Sequence, residues 1–106
     1  MRTSGHPTDL PDTPLGRRLQ RNRRAILECA ARHGASNVRV FGSVSRGEDR
    51  PGSDIDLAVD LDARTGLFTL KALRGELSQI LGVHVDLAPS DSLRVQETIG
   101  REAIAL

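Results

Sequence analysis

The sequence has 106 residues, a length typical of one compact domain, and its 15 basic and 14 acidic residues nearly cancel. This balance argues against a protein that binds nucleic acid by charge alone. The core must be aliphatic, because the chain has no Trp or Tyr and only 2 Phe. A single cysteine, Cys29, excludes an internal disulfide and has no companion for a zinc site, so we expect it to be a small buried apolar residue.

The N-terminal segment is polar and rich in proline. We expect residues 1–12 to be a flexible leader before a domain at residues 13–106. No apolar run resembles a signal peptide, and no stretch approaches the roughly 20 apolar residues of a membrane span. The reducing cytoplasm is therefore the simplest compartment for this chain, and we expect no membrane partner.

One long helix is predicted between Thr13, a suitable N-cap followed by proline, and Gly34, a suitable stop. Four apolar residues recur within it at near-helical spacing: Leu15, Leu19, Ile26 and Ala30. The helix also carries five arginines, which form either a solvated face or a surface for an acidic partner or operator DNA. These are Arg17, Arg18, Arg21, Arg23 and Arg24.

A short strand, Val38–Phe41, leads directly into Gly42 and Ser43. Glycine would let the backbone approach a phosphate, and serine offers both an N–H and a hydroxyl. A helix beginning near Ser43 would add the positive end of its dipole. The following loop cannot be regular structure, because it carries two glycines and one proline.

Two later strands carry acidic residues on one face. Residues 54–61 alternate between polar and apolar side chains, which predicts a strand with Asp54 and Asp56 on the same face, about 6.6 Å apart. After a helix predicted at residues 67–81, residues 83–88 repeat the alternation with Asp86 outward. If the two strands are neighbours, an interstrand spacing of about 4.8 Å brings all three carboxylates together.

The last predicted element is a short helix, capped by Ser90 or Asp91 and running to about Glu102. The predicted elements therefore follow the order α-β-β-α-β-α. This order is typical of a small mixed α/β sheet with helices packed on one face.

The three aspartates suit magnesium chemistry on a nucleotide. Mg²⁺ prefers oxygen ligands and is usually held by a few carboxylates together with the phosphates of the substrate. In nucleotidyl transfer, a hydroxyl attacks the α-phosphate of a nucleoside triphosphate and pyrophosphate leaves. Two Mg²⁺ ions about 4 Å apart can activate the attacking oxygen and stabilise the leaving one.

Gly42, Ser43, Asp54 and Asp56 follow one another at a spacing that resembles the G-S-x(10)-D-x-D signature of the DNA polymerase β-like nucleotidyltransferase superfamily. The spacing shows no departure from that signature. The resemblance implies the polymerase β-like fold and a nucleoside triphosphate held by Gly42 and Ser43. It also implies that Asp54 and Asp56 ligate two Mg²⁺ ions.

The resemblance extends beyond the signature to Arg46 and Ser53 in the loop and to Asp86 on the later strand, and it covers most of the chain. Arg46 and Ser53 are expected to contribute to nucleotide binding. Arg46 would neutralise phosphate charge, with an ordinary exposed loop arginine as the alternative. The resemblance implies that Asp86 binds the catalytic metal and helps to activate the acceptor hydroxyl.

Only twenty residues follow Asp86, too few for the acceptor-binding domain of larger superfamily members. The acceptor surface is then expected to come from a partner protein or from a second copy of the chain. In this the chain is similar to the minimal nucleotidyltransferase (MNT) family, typically encoded beside a helical HEPN protein. The resemblance implies an antitoxin that disarms a HEPN toxin, a ribonuclease, by transferring AMP from ATP to a toxin tyrosine.

Two other functions stay open on the sequence. One is a binding module that neutralises its partner by contact, although clustered carboxylates without metal would repel one another. The other is a transferase that modifies a small molecule such as an aminoglycoside. Three residues near the motif are interpreted as structural: Asp60 as a solvent residue at a strand end, His84 as a surface histidine, and Phe41 as a packing residue.

Overall fold

The computed structural model describes residues 10–92, 96 and 103–106. In this part of the chain, three helices combine with four strands. The helices are α1 (Pro14–Arg21), α2 (Arg23–Arg32) and α3 (Leu67–Leu81). The strands are β1 (Ala35–Phe41), β2 (Ile55–Leu61), β3 (Val85–Pro89) and β4 (Ile104–Ala105).

The strands form one mixed sheet in the order β3-β2-β1-β4. β1 is antiparallel to both β2 and β4, whereas β2 and β3 are parallel. A parallel pair needs a crossover connection, and α3 supplies it while packing against α2. The predicted mixed α/β sheet with helices on one face is therefore confirmed.

The core lies between the helices and one face of the sheet, and it is aliphatic as predicted. Because side chains alternate along a strand, β2 sends its apolar residues into this core and turns Asp56 and Asp60 to the other face, here called the open face. The fully buried residues of β2 and α3 that fill the core are Ile55, Leu57, Val59, Leu73, Leu77 and Leu81.

The prediction of one continuous N-terminal helix is wrong. α1 ends at Arg21 and α2 begins at Arg23, with Asn22 between them at φ −105° and ψ 9°. The side-chain amide of Asn22 donates to the carbonyl oxygen of Arg18 at 2.9 Å, and its backbone N–H donates to the same oxygen at 3.1 Å. An asparagine that bonds to nearby backbone competes with continuous helical geometry, which explains the break.

The other element boundaries agree with the sequence predictions to within a few residues. β1 begins at Ala35 rather than Val38, β2 at Ile55 rather than Asp54, and β3 at Val85 rather than at residue 83. α3 spans the predicted residues. β4 was not predicted, because two residues are too few to show an alternating pattern.

Two sequence predictions fall largely on parts of the chain outside the described residues. They are the flexible leader at residues 1–12 and the short helix between residues 90 and 102. The domain boundary at residue 13 also stays a prediction. Among the helices that the structure describes, none has the length and apolar character needed to cross a bilayer.

Replacing Leu77 with alanine should lower the free energy of unfolding by about 2–5 kcal/mol, because the truncation would leave a cavity in the core. Leu67→Ala is the matched control on the same helix, since Leu67 is 65% exposed whereas Leu77 is 0% exposed. The control should change stability by less than about 0.5 kcal/mol. Urea denaturation followed by circular dichroism would measure both, and equal losses would contradict this account of the core.

Candidate active site

The acidic residues predicted from the sequence lie at one end of the open face. Asp56 on β2 and Asp86 on β3 are direct register partners in the parallel pair, and both are half-buried. Asp54 precedes β2 by one residue and is exposed. The parallel pairing of β2 with β3 therefore places Asp86 beside the D-x-D pair, although the two strands are separated by the whole of α3.

The glycine of the motif lies directly against one of these carboxylates. Gly42 has a φ of +77°, a conformation that favours glycine. A Cβ on this residue would collide with Oδ2 of Asp56 and lie 3.1 Å from its Cγ. The close approach follows from the antiparallel register, in which Phe41 at the end of β1 pairs with Asp56. The Gly-Ser turn and the strand carboxylates therefore form one site.

The segment that follows β1 is a turn, as the predicted element order has it, so no helix dipole is added at Ser43 within the described loop. Residues 42–47 fold as consecutive turns. The N–H of Glu48 donates to the carbonyl of Ser43 at 2.9 Å, and the hydroxyl of Ser45 donates to the carbonyl of Gly42 at 2.7 Å. Val44 is 0% exposed and fixes the turn to the core. Buried packing, rather than a helix, holds this turn in place.

Arg46 and Ser53, the two predicted loop contributors, both make contacts within the loop. The Nε of Arg46 donates to Oε1 of Glu48 at 2.8 Å in an exposed ion pair. The hydroxyl of Ser53 accepts the N–H of Arg50 at 2.8 Å, and the N–H of Ser53 donates back to the carbonyl of Arg50 at 2.9 Å. Ser53 thus closes a turn just before the first motif aspartate, and its role toward a nucleotide stays a prediction.

Asp49 is a positioning residue that sequence reasoning missed. Its Oδ2 accepts the backbone N–H of Leu15 at 3.1 Å, so the loop is attached to the first turn of α1. Helix N-termini present unpaired N–H groups that a carboxylate satisfies well. No local pattern could have identified this bond, because the two residues are 34 positions apart.

The open face continues away from the carboxylates as a small apolar patch and then a polar cluster. Phe41, Ala58 and Ala88 form the patch, so Phe41 packs as predicted. Beyond it, Asp60 accepts hydrogen bonds from Asn37 at 3.0 Å and from Arg39 at 3.0 Å.

The interpretation of Asp60 as a plain solvent residue was therefore incomplete. The hydroxyl of Ser90 donates to its Oδ1. This hydrogen bond, with that of Asn37 and the nearby charge of Arg39, holds the pKa of Asp60 below its ordinary value. The cluster joins the C-terminal ends of β2 and β3 to β1.

The structure therefore holds the glycine turn against Asp56, beside Asp86, on the open face of a mixed sheet, as the motif led us to expect. Residues 23–105 match the family described as nucleotidyltransferase domain, and the chain belongs to this family. The resemblance noted from the motif is thereby confirmed.

Three known proteins resemble the chain closely enough to be informative. Protein adenylyltransferase MntA of Thermococcus cleftensis is 35% identical over 79 residues, which are 73% of this chain and 80% of that protein. A solved structure described as a candidate minimal nucleotidyltransferase superposes with a TM-score of 0.77 at 42% identity, covering 90% of this chain and 98% of the other. A structure of the toxin–antitoxin pair MntA–HpeT, carrying a tyrosine-to-alanine substitution, has a TM-score of 0.67 at 25% identity and covers 80% and 71%.

Replacing Gly42 with alanine should destabilise the protein by about 1–3 kcal/mol, because alanine is strained at positive φ. It should also displace Asp56 and weaken nucleotide binding by at least tenfold, measured by calorimetric titration with Mg²⁺ and a non-hydrolysable triphosphate. Gly75→Ala is the control, since an added methyl there meets nothing within 4 Å. Nucleotide binding by the Gly42→Ala variant as strong as that of the wild type would show that the approach of Gly42 to Asp56 has no role in nucleotide binding.

Stability should depend on the ionisation of Asp60. A carboxyl whose pKa is lowered in the folded state stabilises the fold above its unfolded pKa, and this contribution is lost as the pH falls through the folded pKa. The difference in unfolding free energy between wild type and Asp60→Ala should therefore be greatest near neutral pH and shrink below about pH 4. Urea denaturation at several pH values would measure it, and a difference independent of pH would rule out this role for the charge.

Proposed function

We propose that this nucleotidyltransferase transfers AMP from ATP to a hydroxyl group of a partner toxin, and so acts as an antitoxin. The observation that carries the proposal is the contact of Gly42 with the Asp56 carboxylate beside Asp86. This close approach supports the proposal, because a turn that binds phosphate and carboxylates that bind metal must lie within the span of one triphosphate.

The donor set fits Mg²⁺. Asp56 and Asp86 are register partners at the end of the open face, Asp54 lies two residues before Asp56, and hard divalent cations prefer such oxygen ligands. Asp54, Asp56 and Asp86 would hold the metal, with two ions in the proposed site. Bound there, Mg²⁺ would neutralise phosphate charge and lower the pKa of the attacking hydroxyl.

The residues of the chain have separable roles in the proposed transfer. The missing side chain of Gly42 leaves room for the Asp56 carboxylate close to the backbone, and Ser43 is half-exposed beside it and would contact the triphosphate. Asp86 would orient the acceptor hydroxyl and receive its proton, a role that its pairing with Asp56 supports. The hydroxyl oxygen forms a bond to the α-phosphorus, the bond between the α- and β-phosphates breaks, and pyrophosphate leaves.

The choice of a protein acceptor rests on the relatives. MntA of Thermococcus cleftensis is named a protein adenylyltransferase, and the related MntA–HpeT pair is a toxin–antitoxin complex in which a tyrosine was substituted. We infer a tyrosine of a HEPN-type toxin as the acceptor. The exposure of Asp54 and the half-exposure of Asp86 leave the site open to such a large substrate.

The proposal is tested by intact-protein mass spectrometry of the neighbouring gene's product, the expected toxin, after co-expression with wild type or with the Asp54→Ala/Asp56→Ala variant. We expect AMP adducts on the toxin with the wild type and none with the variant, since the variant lacks metal ligands. Asp91→Ala is a matched control that removes an exposed carboxylate away from the motif and should retain full transfer.

Other outcomes separate the remaining functions. Co-purification of the two proteins without any adduct would replace the proposal by neutralisation through contact alone. Adducts of the same yield with the double variant would refute the assignment of the two aspartates. Peptide sequencing of a modified toxin would identify the acceptor residue, and modification at a residue other than tyrosine would overturn that part of the proposal.

A further inference from the structure

A second group of potential metal ligands lies between α2 and α3, on the helical side of the sheet. Cys29 belongs to the last turn of α2, and His33 is its C-cap residue four positions later, so both side chains lie on one helix face. Glu76 faces them from α3. One ligand atom from each residue lies within 4.8 Å of the other two.

The histidine is oriented as metal-binding histidines usually are. Nδ1 of His33 lies 2.9 Å from the carbonyl oxygen of Cys29, which can only accept, so Nδ1 carries a proton. In the neutral ring, Nε2 then presents a lone pair. That nitrogen lies 2.8 Å from Oε2 of Glu76, also an acceptor when ionised. The lone pairs of Nε2 and Oε2 face each other, so a proton or a cation must lie between them. In metal-binding histidines, the nitrogen that does not bind the metal commonly donates to a backbone carbonyl, as Nδ1 does here.

The cysteine completes the group. Cys29 is 0% exposed, and its Sγ lies 3.7 Å from Oε1 of Glu76, to which the thiol donates. Burial and the neighbouring Glu76 raise the pKa of the thiol, so without a cation it stays protonated. A divalent cation at this point would reverse that preference, because a coordinating thiol loses its proton.

We propose that Cys29, His33 and Glu76 bind one thiophilic divalent cation of the zinc class. The thiol proton passes to solvent, and bonds form from the metal to Sγ, to Nε2 and to one carboxylate oxygen. Water completes a tetrahedral set, since the side chains of His33 and Glu76 are 17% and 45% exposed. The cation would join α2 to α3 in place of the direct contact between His33 and Glu76.

The surrounding charge is compatible with this cation. One thiolate and one carboxylate together balance a divalent ion. A cationic group close to the cluster is Arg32, whose Nη2 lies 3.8 Å from Oε1 of Glu76. Its side chain is 62% exposed and the contact is long, so Arg32 can turn toward solvent at little cost.

The proposed zinc-class site is distinct from the strand carboxylates in both place and chemistry. Sulfur and imidazole ligands select softer metals, whereas Asp54, Asp56 and Asp86 offer only the oxygen ligands that suit Mg²⁺. The sequence offers no second cysteine as a companion for Cys29 at a zinc site. The companions here are a histidine one turn away and a glutamate from another helix.

Titration of the purified chain with Co²⁺, followed by absorbance, tests the proposal. A thiolate–cobalt bond gives an intense near-ultraviolet charge-transfer band, which carboxylate ligands do not give. We expect this band at one equivalent, its loss on adding one equivalent of Zn²⁺, and its persistence in the Asp54→Ala/Asp56→Ala variant. That last measurement separates this site from the proposed nucleotide site.

Single substitutions identify the ligands. Cys29→Ser, His33→Asn and Glu76→Gln should each weaken Zn²⁺ binding by more than the roughly 10–100-fold that loss of a supporting group costs. Glu28→Gln, on the exposed side of the same helix, is the matched control and should bind as the wild type does. No thiolate band in the wild type, or Zn²⁺ affinity unchanged in the His33→Asn and Glu76→Gln variants, would overturn the proposal.

Discussion

The close approach of Gly42 to the carboxylate of Asp56 is the constraint on which the site depends. A turn can lie this close to a strand carboxylate only if the residue has no Cβ and adopts a positive φ. The antiparallel register of β1 and β2 then determines which carboxylate it meets, and the parallel register of β2 and β3 brings Asp86 alongside. One glycine thus connects the turn to three strands of the sheet.

The sheet separates two chemistries by the alternation of its side chains. On the helical side, the apolar residues of β2 pack with α2 and α3 in a continuous aliphatic core. On the open face, the same strand presents Asp56, Ala58 and Asp60. Placing charges on the open face avoids the cost of burying them, while the core behind keeps the strand rigid. The strand therefore serves stability and chemistry at once.

Sequence periodicity predicted the parts of the structure that local rules control. The alternation of β2 and the helical spacing of α3 each reflect one side of an element being buried, and both predictions are confirmed. The motif spacing also identified the family.

The features that the sequence did not predict depend on contacts between particular residues. The break at Asn22 comes from one side-chain amide bonding to a backbone carbonyl, in a segment whose apolar spacing continues across it. The bond from Asp49 to the first turn of α1 and the approach of Glu76 to Cys29 join residues far apart in sequence. Such pairs form only when the chain is folded, and one sequence carries no record of them.

The attachment of the loop to α1 has a further consequence for binding affinity. A flexible loop that closes on its ligand must lose conformational entropy during binding, which lowers the affinity. Here the bond between Asp49 and the backbone of Leu15, together with the burial of Val44, orders the loop when the protein folds. The entropy is lost before any ligand arrives, so the turn at Gly42 is preorganised, and its contacts with the proposed nucleotide would contribute to affinity without a further ordering cost.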